Sequence, residues 1–467
     1  MSDPVTNPVP PLALAPLRSV KIENFRGIRY LDLPLHPRVT VLFGSNAAGK
    51  TTVLDALAIG LGAIVSRVPQ AKGRGFAESG DLRIPYLDRQ EVDERAGVAC
   101  PFAHVELQSA SGLTWGVTTW RSQADRPKHK GKATARELND RLDELILETL
   151  DTPPGASTPP MALVAAYGNQ RAGIEMPLRE RDFRTDFRRL DAFDESLVAK
   201  PRFKAVFEWF RMMEDEERRQ REHRLDFNYR LPELEWVREA VGNAGLRCSN
   251  PRVQTRPLRM LVDFEHFDGV CEPLDIKSLS DGYRTHFALV VDVARRMVQL
   301  NPTEDLQDPA RGTNSAAVIL IDELDLHLDP TWQARVLQGL QQAFPNAQFI
   351  LTTHSEQVLG SVELSCVRKL VWQDGEIVAE PVPFAQGATG ERILIDLMGA
   401  AERVPGPVTE RLHAYLSLVD KGEGRSPQAM ALLEDLNDAL PGDPRLHQAD
   451  LEMQRRDLLK RISGAGA

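Results

Sequence analysis

Cysteine is scarce in this 467-residue chain: Cys100, Cys248, Cys271 and Cys366 are all it has. No two of them stand as Cys-x-x-Cys, so neither a zinc ribbon nor a zinc hook is encoded. That usage fits a reduced, cytoplasmic setting. No apolar run reaches the roughly 18–20 residues needed to span a bilayer, so no membrane partner is expected. The opening "MSDPVTNPVPPLALAP" lacks the basic start of a signal peptide and reads as a disordered, Pro-rich tail over 1–16. Excess positive charge is missing too: 57 Lys and Arg face 67 Asp and Glu, a net charge of −10. Bulk charge therefore does not hold this protein on nucleic acid, although net charge leaves local basic patches open. Tandem repeats are absent, and so are the sustained heptads of a long coiled-coil arm. What is present is apolar. A hydrophobic fraction of 42% supplies a substantial core, and the length suits two to four domains or lobes.

The periodicity expects an α/β fold. "LRSVKIENF" alternates like a half-buried strand, and "PRVTVLFG" is the continuous β-rich run of a fully buried one. "TTVLDALAIGLG" sets Val53, Leu54, Leu57 and Leu61 at helical spacing. Two strands are expected around Ser111-Gly112. A helix should carry Leu138, Leu142, Leu145 and Leu150. "MALVAAYG" is a further short buried strand. From Arg171 the chain turns charged, and 171–272 is expected as a helical insert whose longest piece has an apolar face of Phe203, Val206, Phe207, Phe210 and Met213. β/α alternation then returns with "AAVILID", "TWQARVLQGLQQAF" and "AQFILTT". A hairpin turns at Asp374-Gly375. After Glu391 the pattern is helical. The expected division is a lobe over 17–170, the insert over 171–272, a second lobe over 273–390 and a helical extension over 391–467.

"GSNAAGKTT" fits G-x-x-x-x-G-K-[ST] between a buried strand and a helix, the context that a phosphate loop (Walker A) requires. Gly44 and Gly49 allow tight backbone angles, and the N–H groups from Asn46 to Thr52 with the helix N-terminus offer positive partial charge to a nucleotide. Lys50 is expected at the β- and γ-phosphates of ATP and the Thr51 hydroxyl on Mg2+. "VILID" followed by Glu323 ends a buried strand in two acids. Asp322 is expected to hold Mg2+ and Glu323 to polarise the attacking water. In "SLSDGYR", Ser280 and Gly282 stand at a helix N-terminus, a donor cluster suited to phosphate. Alone this motif is no more than a serine N-cap; ahead of "VILIDE" and "LTTHS" its order gives it weight. His354 lies just beyond a strand, where it could contact a γ-phosphate. Gln170 follows another strand and either senses Mg2+ and water or belongs to an ordinary loop.

"IDELDLHLDP", from Ile321 to Pro330, holds four carboxylates and an imidazole. Continued strand alternation would put Asp322 at the metal and Glu323 at the water. Asp325 reads as solvated or structural, and His327 and Asp329 as a following loop.

Together these motifs resemble the ABC-type ATPases of the RecF, SMC and overcoming-lysogenisation-defect group. "VKIENFRGI" is similar to their first strand and turn, with Asn24, Arg26 and Gly27 near the nucleotide. "IDELDLHLDPTWQARVL", "FPNAQFILTTHSEQVL" and "LSDGYRTHFALVVDVARRM" resemble the short ATPases of bacterial phage defence, as in Septu and retron systems. The resemblance implies an ABC-type P-loop head with a β-rich subdomain and a nucleotide-sandwiched homodimer or higher homo-oligomer. Lys50, Thr51, Asp322, Glu323 and His354 of one subunit would then face Ser280 and Gly282 of the other, with Asp329 in the loop contacting that subunit. No acidic constellation of a TOPRIM nuclease follows His354. The expected function is an ATPase controlling a separate nuclease, of HNH type. The alternative is a RecF-like repair ATPase acting directly on DNA through the charged insert. A transporter subunit fits the "NFRGI" start and the C-terminal helices poorly.

Overall fold

The computed structural model describes residues 14–77, 80–85, 98–126, 133–152, 158–169, 186–198, 203–266, 268–403 and 405–464. Two compact units divide the chain, Met1–Ile393 and Leu394–Ala467.

The strands of the first unit run in the order β1 (Leu17–Phe25), β2 (Ile28–Pro34), β3 (Val39–Phe43), β4 (Phe102–Ser109), β5 (Thr114–Trp120), β6 (Leu163–Tyr167), β7 (Cys248–Thr255), β8 (Leu258–Glu265), β9 (Cys271–Asp275), β10 (Ala317–Ile321), β11 (Ala347–Thr352), β12 (Val367–Gln373) and β13 (Glu376–Glu380). Its helices include α1 (Lys50–Val65), α2 (Arg136–Asp151), α3 (Phe203–Arg224), α4 (Pro232–Asn243), α5 (Asp281–Leu300), α6 (Pro330–Ala343) and α7 (Glu356–Gly360).

A six-stranded sheet in the order β13-β12-β3-β11-β10-β6 forms the centre. β6, β10, β11, β3 and β12 pair parallel, and only β13 runs antiparallel. All residues of β3, β6, β10 and β11 are buried, as strands covered on both faces must be. Burying each Val, Leu or Ile contributes about 1.5–3 kcal/mol, so this apolar layer is a principal source of stability. Parallel register aligns Ile321 with both Tyr167 and Leu351. The chain therefore leaves β6, β10 and β11 along one edge, where open parallel sheets gather ligands. A second, antiparallel sheet runs β2-β1-β4-β5. The expected turn at Gly112 is there, with φ +89°. So is the hairpin turn at Asp374 and Gly375, both with positive φ.

Three expectations need correction. On α2 the buried stripe is Leu138, Leu142 and Ile146, while Leu150 is exposed. At 3.6 residues per turn the i+4 stripe drifts round the helix, and Leu150, twelve residues past Leu138, stands about 120° from it. The stretch 171–272, expected as helical, holds α3 and α4 but also β7, β8 and the first two residues of β9, and these three strands form an antiparallel sheet. Pro251 and Pro273 interrupt β7 and β9, and the strands are thinly apolar, so the period-2 signal is weak. Third, strand alternation does not continue into "DELDLHLDP". β10 ends at Ile321, and Glu323 and His327 adopt left-handed φ of +51° and +64°.

The second unit has helices over Pro407–Asp420, Pro427–Ala439 and Pro444–Gly464, all three opening on proline. Leu412, Tyr415, Val419, Leu436, Leu446 and Met453 form its core. No described helix is long and apolar enough to cross a membrane.

Candidate functional site

The loop between β3 and α1 is wound by its own residues. A Cβ at Gly44 would meet the Leu370 carbonyl at 2.1 Å, so only glycine lets β12 run this close. Gly49 caps α1 in a left-handed conformation. Lys50 folds back, its Nζ donating to the carbonyls of Gly44 and Ser45, both at 3.0 Å. Burial lowers its pKa, and Asp322, Glu323 and Asp325 pull it back up.

Asp322 and Glu323 arrive on the turn after β10. The Asp322 N–H donates to the Tyr167 carbonyl at 2.8 Å, which ties the turn to β6. Its carboxylate is nearly buried and accepts from the Thr51 hydroxyl at 3.0 Å and from the Thr352 hydroxyl at 2.6 Å. Thr352 in turn accepts the Glu323 N–H at 2.7 Å, and its own carbonyl takes the Leu324 N–H. One hydroxyl at the end of β11 thus holds both acids. Asp325 is structural: it accepts from the Thr353 hydroxyl at 2.6 Å and from the His354 N–H at 3.2 Å, fixing the backbone at the imidazole.

A cavity of about 300 Å3 opens here, lined by Asn46, Ala47, Gly49, Lys50, Thr51, Thr52, Asp322, Glu323 and His354. Residues expected at ATP from three separate segments share this one wall. Oxygen donors Thr51 and Asp322 suit a hard cation such as Mg2+, which keeps several waters and takes one or two carboxylates. Among the described residues no three His, Cys, Asp or Glu cluster as a protein-only metal cage, and "IDELDLHLDP" is not one. Gln170 lies outside the described residues.

Ser280, Gly282 and Asp329 do not line the cavity. Exposed Ser280 is the N-cap of α5, and its side chain makes no cap hydrogen bond. Gly282 is pressed on the turn after β10, where a Cβ would stand 2.2 Å from the His327 carbonyl. Tyr283 lies on Trp332 of α6, ring centroids 4.0 Å apart. Asp329 accepts from the N–H groups of Thr331 and Trp332 and so caps α6. Arg26 is held by Asp55 of α1 at 2.6 Å and by Asp81 at 2.9 Å, and does not line the cavity either.

Sequence reasoning missed Thr352, Thr353 and Tyr167. All three sit in or beside buried runs, where a hydroxyl is a polar side-chain group that needs a partner. That oddity was the available signal.

Two family models match the chain: "AAA domain" over residues 19–220 and "AAA domain, putative AbiEii toxin, Type IV TA system" over 169–360. Both models describe an AAA domain, each over less than half of the chain, and the chain is an ATPase. Its relatives include the retron Ec83 probable ATPase of Escherichia coli, 26% identical over 94% of this chain and 86% of that one. The Septu protein PtuA of Bacillus mycoides (strain KBAB4) is 40% identical over 35% of this chain, though the match spans only 22% of that protein. Among solved structures, an SMC head bound to the C-terminal winged-helix domain of ScpA superposes with a TM-score of 0.42 at 14% identity, over 78% of this chain and 98% of that one.

Proposed function

We propose that the protein hydrolyses ATP in a head-to-tail homodimer and serves as the regulatory ATPase of an anti-phage defence system, controlling a separate nuclease. One observation carries the dimer: Ser280 stands exposed at the N-cap of a 20-residue helix, with Gly282 buried just behind it, outside the cavity that collects Lys50, Thr51, Asp322, Glu323 and His354. A second copy would bring the missing donors to the γ-phosphate, and two-fold symmetry would do so twice.

In this reading Lys50 exchanges the Gly44 and Ser45 carbonyls for β- and γ-phosphate oxygens. Glu323 accepts a proton from the water that attacks the γ-phosphorus, the bond to the β–γ bridging oxygen breaks, and ADP and phosphate result. His354 and the partner's copy of the α5 N-terminus stabilise charge on the transferred group. Thr51 and Asp322 would hold Mg2+, which would supply neutralising positive charge at the phosphates. The defence role is supported by the retron and Septu relatives, and a helical C-terminal unit is available for docking.

Sedimentation of Glu323→Gln and Ser280→Arg with ATP tests this. Glu323→Gln should bind ATP, turn over roughly 10²–10⁴ times more slowly and accumulate as a dimer or larger assembly. Ser280→Arg should bind ATP yet stay monomeric. Wild-type turnover by Glu323→Gln would remove the general base, and loss of ATP binding by Ser280→Arg would put Ser280 in its own subunit's site. Co-purification with the product of a neighbouring nuclease gene tests the partner; salt-dependent DNA binding by the isolated protein, without such a partner, would replace it with direct action on DNA.

A further inference from the structure

The dimer reading leaves a question: how does engagement of Ser280 by the opposite nucleotide reach Asp322 and Glu323 of the same chain? A buried polar knot lies between them. Twelve residues along α5 from Ser280, about 18 Å at 1.5 Å per residue, stands Asp292, which is 1% exposed. Arg295 and Arg296 donate to its two oxygens at 2.8 and 2.9 Å. Arg296 also donates to the carbonyls of Ala192 at 2.6 Å and Asp194 at 2.9 Å. Asp292 accepts one further bond, from the Tyr167 hydroxyl at 2.9 Å. Tyr167 ends β6, and its carbonyl takes the N–H of Asp322 at 2.8 Å. The helix carrying the exposed donors and the turn carrying the acids are therefore two hydrogen bonds apart, through a single residue.

Two aspects make this more than core packing. A core position asks for apolar volume, and phenylalanine would fill it with no polar atom to satisfy. Asp292 already has two guanidinium partners, so its charge is compensated without the phenol. The phenol is thus dispensable for charge and specific for linkage: the same residue grips α5 by its side chain and the Asp322 turn by its backbone.

We propose that Tyr167 is a positioning residue that transmits the placement of α5 to Asp322 and Glu323, so that the acids reach their working geometry only when the Ser280 end of the helix is docked. The proposal rests on the dimer reading given above. Shifting α5 moves Asp292. Asp292 moves the end of β6, and β6 moves the amide of Asp322.

A double-mutant cycle on ATPase turnover tests it, using Tyr167→Phe, Ser280→Ala and the pair. Tyr167→Phe should leave the KM for ATP and the thermal midpoint near wild type and lower kcat about five-fold, the worth of one ordinary hydrogen bond. In the Ser280→Ala background the same change should cost little more, because the signal it carries is already gone. Multiplying effects would overturn the proposal while leaving the dimer intact. Unchanged kcat in Tyr167→Phe would do the same. A harmless Ser280→Ala would overturn both, and dimer sedimentation would then locate the failure. Should Tyr167→Phe fail to fold, Asp292→Glu, which keeps the charge and shifts the carboxylate by one methylene, takes its place in the cycle and is read the same way.

Discussion

The Thr352 hydroxyl donates to the Asp322 carboxylate at 2.6 Å, from the last residue of β11 to the first after β10. The same oxygen accepts the Glu323 N–H. Thr352→Val, nearly the same shape without the hydroxyl, should therefore loosen both acids together. We expect kcat to fall by about 10- to 100-fold and the Mg2+ concentration for half-maximal rate to rise, since lost charge-assisted bonds are worth roughly 1.5–3 kcal/mol. Thr352→Ser should restore most of the rate. A valine variant as active as wild type would leave the hydroxyl without a role in catalysis.

Asp325 should act through His354. Removing its carboxylate in Asp325→Ala frees the Thr353 hydroxyl and the His354 N–H. ATPase assays should show a loss of about ten-fold, no greater when His354→Ala is added. Independent, multiplying losses would mean that Asp325 does something other than hold the imidazole's backbone.

Gly282 should tolerate no side chain. An alanine Cβ would sit 2.2 Å from the His327 carbonyl, which is backbone and cannot swing aside. Gly282→Ala should cost about 1–3 kcal/mol by thermal or denaturant unfolding, and ATP-dependent assembly should weaken while nucleotide binding at Lys50 persists. A variant with unchanged stability and assembly would show that the start of α5 and the turn after β10 part freely.

Glu214 gives a pH signature. Burial pushes its carboxyl from the ordinary 4.5 up to about 7, against the Val253 N–H that donates to it. A raised acid binds its proton more tightly in the folded chain. Its contribution is therefore complete below pH 4.5, declines as pH rises towards 7 and is lost above. At 1.36 kcal/mol per unit the span is on the order of 3 kcal/mol. Glu214→Gln keeps an acceptor for Val253 without the charge. It should raise the melting temperature at pH 8 and leave it near wild type at pH 5. Equal melting curves at both values would place Glu214 in contact with water.

Much of this architecture is legible in the sequence because buried parallel strands write themselves as largely apolar runs. "VTVLF", "LVAAY", "AVILI" and "AQFILT" are four such runs, and the ligand edge follows from their ends. The lining residues Lys50, Thr51, Asp322, Glu323 and His354 were legible from local motifs, each a few residues wide. What escaped was non-local. Asp325 meets Thr353 across 28 residues, and Tyr167 meets Asp292 across 125. No periodicity encodes such pairs. The sheet of β7, β8 and β9 escaped for another reason. Val262 and Met260 are buried in β8, but β9 buries none of its five residues fully, so apolar alternation is too thin to outweigh the helical composition around it.

The way Lys50 rests on the carbonyls of Gly44 and Ser45 has a thermodynamic consequence. The ammonium already stands where the loop needs a cation, and the loop is already closed around it. An incoming polyphosphate then trades one set of oxygen acceptors for another and orders almost nothing. Binding so prepared forfeits little chain entropy, and its heat should come mainly from charge meeting charge and from released water. A calorimeter should see nucleotide binding with a small heat-capacity change, and the large one should appear only when two chains meet.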